Sequence, residues 1–292
     1  RNLAPGKFGK GCDTPSKEVI DRAREAHRMA FGDKMFEADE LRLILAHLDG
    51  EEVPTGTNEK TGEPIKVKGH RNPALKAMIL LGINSGYGNT DVSSLPTRAV
   101  NLDSGWVAFP RPKTAVRRKC WLWPETIAAI REWLEDRPKA KDPTDAGLLF
   151  LTCRGAPWVK LNKSGSPSDA VGQEFVKVLR KLDLKRAGVS FYALRHGFET
   201  IGGETTDQVA VDAVMGHKTP GMAATYRERI GDDRLRRVSE HVRQWLFADT
   251  TNGTTGPQGT TTDSSAPDDS MTNEADGDAP TLKLFAGENK NG

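Results

Sequence analysis

Between Phe191 and Tyr226 the chain carries Tyr192, Arg195, His196, His217 and Tyr226, which are one fixed cation, two imidazoles and two phenols. The stretch reads without paired carboxylates or clustered metal ligands. An arginine presents rigid bidentate donors suited to phosphate and never loses its charge. A histidine can donate to a phosphoryl oxygen or move a proton near neutral pH. A phenol is a poor nucleophile unless such donors stabilise the charge that develops around it. Together these groups spell phosphoryl transfer with the protein itself as acceptor. Taken singly each has a plainer use: Arg195 as a surface group, Tyr192 in packing, His217 in a turn before Pro220, Tyr226 on a helix face.

The joint spacing resembles that of the tyrosine recombinases, the phage-integrase family. Tyr192-Ala193-Leu194-Arg195 matches its motif of histidine (or another residue), two positions and arginine. Met215-Gly216-His217 matches its leucine-glycine-histidine, and Tyr226 follows nine residues later, where the family has its nucleophile. Each piece is weak alone and specific in combination. In that family a hairpin lysine protonates the leaving 5′ oxygen, and Lys113 in Pro112-Lys113-Thr114 matches it; a lysine suits the task as a mobile donor. The resemblance therefore implies Tyr226, Arg195, His217, Lys113 and Tyr192 as catalytic residues. It also implies cutting and rejoining of duplex DNA through a 3′-phosphotyrosyl link, with no cofactor and no metal. His196, one helical position from Arg195, points about 100° away and is expected to pack rather than react.

One departure stands out. Aligned on Gly86, Asp91 and Leu95, the position of the family's first catalytic arginine is held by Gly88. Three explanations are open: another cation such as Arg98, Arg117 or Arg118 takes over, backbone N–H groups near Gly88 form an anion nest, or the protein binds DNA without cutting it. A type IB topoisomerase, with the same chemistry and no pairing of sites, is a further alternative.

The elements that must position these groups are largely helical. Ser16 caps a helix to about Met29, and Leu41, Ile44, Leu45 and Leu48 mark the inner face of another. Residues 50–70 read as an exposed insertion or hairpin, and 72–82 as a buried helix. Trp106–Phe109 and Arg117–Trp123 read as two short strands around a basic turn, Pro110–Thr114. Arg111, Arg117, Arg118 and Lys119 are expected to contact the DNA backbone. Helices follow over 124–134 and 173–182, with a short apolar strand over 148–151 and a loop over 154–167. Asp232 is expected to cap a last helix, carrying Leu235, Val238 and Val242 inward. The whole predicts a mainly helical α+β fold with a small antiparallel sheet or hairpin.

The chain has 292 residues and a formal net charge of +2. Beyond residue 249 seven acids face two bases, so residues 1–249 carry +7, a basic body suited to nucleic acid. Three domains are expected: an N-terminal segment 1–34, a catalytic domain 35–248, and a disordered acidic tail 249–292 whose one apolar island is Thr281–Phe285. Residue 1 is an arginine, which suggests a fragment; the family's DNA-clamping domain would lie upstream. No apolar run approaches eighteen residues and no signal sequence opens the chain. Cys12, Cys120 and Cys153 lack metal spacing and fit a reduced compartment. No Walker loop or HExxH pair is present. The expected setting is cytoplasmic and nucleoid-associated. The expected partners are double-stranded DNA, copies of the chain in a tetramer, and accessory directionality factors, with no membrane.

Overall fold

Ser16 accepts a hydrogen bond from the N–H of Val19 and so starts α1 (Lys17–Phe31), none of whose residues is buried. The structure, a computed structural model, describes residues 15–58, 60–161, 167–217 and 226–248. The expected tail and its apolar island lie outside these residues. In α2 (Ala38–Asp49) the four leucine and isoleucine positions at helical spacing are all buried. β1 (Val53–Thr57) and β2 (Pro64–Val67) then form an antiparallel hairpin, one of the two forms expected for 50–70.

The centre of the molecule is α3 (Pro73–Ser85). Proline at its first position and the Asn72 side chain, which accepts from Leu75 N at 3.1 Å, fix its start. Every residue from Ala74 to Ser85 except Lys76 is buried. The sequence suggests an end at Gly82, yet the helix continues to Ser85. A Cβ at Gly82 would fall 2.7 Å from Leu194 Cδ1, so this glycine admits a neighbouring helix rather than ending its own. That neighbour is α7 (Ala193–Gly203), and α3 also packs against α2 and α5 (Pro124–Asp136). Gly86, at φ 62°, ends α3 in a left-handed turn. A short α4 (Asn89–Ser93) follows.

β3 (Val100–Asn101), β4 (Trp106–Ala108) and β5 (Lys119–Trp121) make a three-stranded antiparallel sheet in that order, with Val107 opposite Cys120. The two strands around the basic turn were expected; β3 is an addition. Residues 148–151 are not a strand. Leu148 makes a single bridge to Pro96, and the carbonyls of Leu148 and Leu149 are taken by side chains of α5 and the residue after it: Trp133 Nε1 donates to Leu149 O at 2.9 Å, and Arg137 donates to the carbonyls of Leu148 and Leu149. Part of the expected loop over 154–167 is instead strand, β6 (Val159–Leu161) paired with β7 (Pro167–Asp169). Helices α6 (Ala170–Lys181), α8 (Gln208–Met215) and α9 (Asp232–Phe247) complete the described chain. Gly231, not Asp232, precedes the first helical residue of α9.

One buried polar knot locks the sheet to the helices. Asn84, near the end of α3, donates to Trp121 O at 3.0 Å and Ser239 Oγ at 2.8 Å. Its carbonyl oxygen accepts from Trp123 N and Thr126 Oγ1, both at 2.9 Å. Trp123 Nε1 donates in turn to Ser239 O at 2.8 Å. With every donor and acceptor of the amide used, β5 has one register against α3 and α9. That register decides what the residues just before β5 can touch.

Candidate active site

Arg195 lies in the first turn of α7, whose Leu194, Phe198 and Ile201 are buried. It is only 2% exposed, and no carboxylate pairs with it among the described residues. Nη1 donates to Gly86 O at 2.5 Å; Nη2 donates to Met215 O at 2.9 Å and to His217 Nε2 at 2.7 Å. Both carbonyls stand at the C-terminal, electronegative ends of helices, α3 and α8. Burial depresses the pKa of Arg195, and the charges of Arg111 and Arg118 push the same way. An arginine starts so high that it remains a cation at neutral pH.

The position of His217 follows from the end of α8. Asp207 caps the helix start, accepting from Ala210 N at 3.1 Å, and Gly216 closes it at φ 66°. The left-handed turn returns His217 N to Asp212 O at 2.9 Å. Because Arg195 can only donate, His217 Nε2 accepts, and the ring proton sits on Nδ1. Nδ1 meets Asp212 Oδ1 at 3.1 Å, with Glu199 Oε2 at 3.7 Å. Gln208 Nε2 bridges the two carboxylates at 2.9 and 3.2 Å. The sequence showed no clustered metal ligands, but the fold brings Glu199, Asp212 and His217 atoms within 4.8 Å of one another. Here Asp212 orients the imidazole, and Glu199 Oε2 stands beyond hydrogen-bond reach of it.

The turn between β4 and β5 closes by Arg111 N donating to Val116 O at 2.9 Å, with Ala115 at φ 56°. Lys113 is exposed at its tip, and its ammonium bonds no described residue. Arg117 is exposed and Arg111 half-buried. Lys119 lies 4.2 Å over the Trp106 ring and pairs with Asp232 at 2.5 Å. A groove of about 500 Å³ beside them is lined by Arg117, Arg118, Lys119, His217, Arg227 and Arg229, among others.

Arg118 departs from its expected place. It is buried at 4% exposure rather than turned to the surface, so it does not present an open contact to a DNA backbone. Its Nη2 donates to Asp91 Oδ1 and its Nε to Phe109 O, both at 3.0 Å, and its guanidinium stands 4.2 Å over the Tyr87 ring. The second oxygen of Asp91 accepts from Gly88 N at 2.8 Å. Nothing in the sequence separates Arg118 from Arg117 and Lys119.

The structure thus joins Arg195 to His217. Tyr192 is 44% exposed, its ring edge 3.6 Å from where a Gly88 Cβ would lie and T-stacked on His196 at 5.3 Å. His196 is exposed, so its packing is against Tyr192 rather than in the core. Tyr226 is 75% exposed, and its hydroxyl bonds no described residue. Asp212 and Glu199 were not singled out in the sequence. The only available signal is that Asp212 lies one helical turn before the glycine that ends α8.

No family model matches the chain, and no curated protein matches it. Among solved structures it is similar to XerA recombinase (TM-score 0.47, 14% identity, 72% of this chain and 65% of that one). It is also similar to the XerH site-specific recombinase bound to palindromic difH substrate in a post-cleavage complex (0.46, 16%, 73% and 52%). A third is the Tn1549 transposon integrase in complex with a circular intermediate DNA (0.47, 17%, 72% and 66%). The chain thus spans between about half and two thirds of these proteins. Among the described residues no helix is long and apolar enough to cross a membrane.

Proposed function

We propose that this chain cuts and rejoins duplex DNA through a 3′-phosphotyrosyl link, as a site-specific recombinase or integrase of the tyrosine class. The observation that carries this reading is the buried Arg195, free of any carboxylate among the described residues and hydrogen-bonded to His217. Such a cation is preorganised for an anion, and the histidine beside it is held in one tautomer by Asp212.

In this reading the phenol oxygen of Tyr226 attacks the scissile phosphorus. The new P–O(Tyr226) bond replaces the P–O5′ bond, and Lys113 gives its proton to the departing 5′ oxygen. Arg195 holds the charge on the pentacoordinate phosphorane. When its Nη2 turns to the phosphate, His217 Nε2 is released to take the phenol proton, and Tyr192 assists by donating its hydroxyl. The phosphotyrosyl ester conserves the bond energy, so attack by a 5′ hydroxyl reverses the step and reseals the strand. Tyr226 must come to the phosphate from its exposed position. The catalytic unit is residues 35–248, working as a tetramer on double-stranded DNA in the cytoplasm at the nucleoid, with accessory factors setting direction.

Nicked duplexes drawn from the DNA flanking the protein's own gene test this, because the short released strand diffuses away and a covalent adduct accumulates. An adduct that survives denaturation supports the reading, and joining of two such sites separates recombinase from topoisomerase. Binding without any adduct on any duplex would leave a DNA-binding protein that does not cut.

A further inference from the structure

A buried arginine normally spends its donors. Arg118 has five N–H groups and a side chain closed to solvent, yet Nη1 has no partner among the described residues. Its one carboxylate, Asp91, is shared with the backbone N–H of Gly88. Arg195 adds a second buried cation that, among the described residues, leans only on carbonyls and a neutral imidazole. Asp91 is thus the one carboxylate among the described residues in contact with either of these two guanidiniums. Burying cationic charge in excess of its partners is costly, and an incoming anion removes that cost. The depressed pKa of Arg195, owed first to burial and then to the charges of Arg111 and Arg118, agrees that these groups share one field.

The backbone makes room for this arrangement. A Cβ at Gly216 would lie 2.6 Å from Arg118 Cδ, so the Arg118 stem passes directly over the residue before His217. Tyr87 backs the guanidinium, and Phe109 O and Asp91 fix its plane. The other candidate cations differ: Arg98 and Arg117 are exposed.

We propose that Arg118 is the second arginine of the phosphate seat, its Nη1 gripping the phosphoryl group that Arg195 holds from the other side. The identity of that group as a DNA phosphodiester rests on the function proposed above; the anion seat does not. Both guanidiniums are covered, so the anion enters by displacing what lies over them. Gly88 is then no gap in the site. A side chain built there would start 3.6 Å from Asp91 Oδ2, so an arginine at 88 reaches the carboxylate that Arg118 now uses.

The test uses the full chain, inorganic phosphate at constant ionic strength, and Arg118→Lys, which keeps the charge and one bond to Asp91 but loses Nη1. Calorimetry should show wild type binding phosphate and Arg118→Lys binding it about tenfold or more weakly, the loss of one charged hydrogen bond. With nicked duplexes, adduct formation should fall roughly 10²–10³-fold in Arg118→Lys and recover when Gly88→Arg is added. Equal phosphate affinity or equal adduct rates in wild type and a folded Arg118→Lys would overturn the proposal, as would a wild type that binds no phosphate. Arg118-dependent phosphate binding with no adduct anywhere would keep the seat and refute the DNA-cutting reading instead. If Arg118→Lys does not fold, tungstate in wild-type crystals decides: within hydrogen-bond reach of Nη1 it supports the seat, and on Arg195 alone it overturns it.

Discussion

Gly216→Ala probes the packing that sets Arg118 beside His217. The new Cβ would stand 2.6 Å from Arg118 Cδ and 2.7 Å from its Cγ, against an ordinary carbon contact of about 3.5–4.0 Å. The stem must therefore retreat by roughly 1 Å, although its guanidinium is pinned on Asp91 and Phe109 O at 3.0 Å. The backbone adds its own cost, since φ is 66° and an L-residue there loses roughly 1–2 kcal/mol. Breaking a buried ion pair outright costs about 3–5 kcal/mol, and a strained one a fraction of that. The total expected is about 3 kcal/mol, a large share of the 5–15 kcal/mol typical of a domain. In urea, with a slope of roughly 2–3 kcal/mol/M, the midpoint should fall by about 1 M. Gly231→Ala is the control: φ is −62° and nothing lies within 4 Å of its added Cβ, so only the cost of alanine at a helix start, about 1 kcal/mol or less, is expected. If Gly216→Ala unfolds at the same urea concentration as Gly231→Ala, Arg118 does not pass over Gly216 and the site geometry is wrong.

Other outcomes follow from the same contacts. Asn84→Leu strands Trp123 N and Thr126 Oγ1 in the interior and should lower stability by about 3–5 kcal/mol in the same urea assay; a loss under 1 kcal/mol would show that the knot does not hold β5. Lys113→Ala should slow strand cleavage strongly on ordinary DNA and hardly at all on a duplex whose 5′-bridging oxygen is sulfur, because a thiolate leaves without protonation. Equal slowing on both would remove Lys113 as the acid. Asp212→Ala should keep the fold and slow adduct formation about 10–100-fold, since no oxygen then accepts from His217 Nδ1; an unchanged rate would make Asp212 structural. DNA affinity should drop steeply between about 50 and 200 mM salt, and Arg117→Ala should flatten that slope by about one.

The helices that position the site were legible because their apolar residues repeat at 3 and 4: Leu41, Ile44, Leu45 and Leu48 all face the core. The β4–β5 hairpin was legible from its tryptophans and prolines. By contrast, β3 and the β6–β7 pair are two or three residues long and owe their existence to partners elsewhere, so no local pattern marks them. Residues 148–151 show a strand's composition, yet Trp133 and Arg137 side chains take the carbonyl bonds a neighbouring strand would have made. Of the site, the Arg195–His217 pair could be read from spacing. Arg118 could not. In Val116-Arg117-Arg118-Lys119 it looks like its neighbours, and only Asp91, 27 residues earlier, and Gly216, far downstream, set it apart. Gly88 looked like a missing group for the same reason: a sequence shows which position lacks an arginine and not whether another element points one at the same carboxylate.

In the proposed reaction Tyr226 becomes the covalent acceptor. Adduct trapped on a nicked duplex should be digested and mapped by mass spectrometry, with the DNA fragment's polarity read from end labels. The expected result is a phosphodiester between Tyr226 and a 3′ DNA end, a free 5′ hydroxyl on the other fragment, and no adduct from Tyr226→Phe although it still binds DNA. An adduct on any other residue, a 5′ linkage, or adduct formation by Tyr226→Phe at the wild-type rate would contradict it.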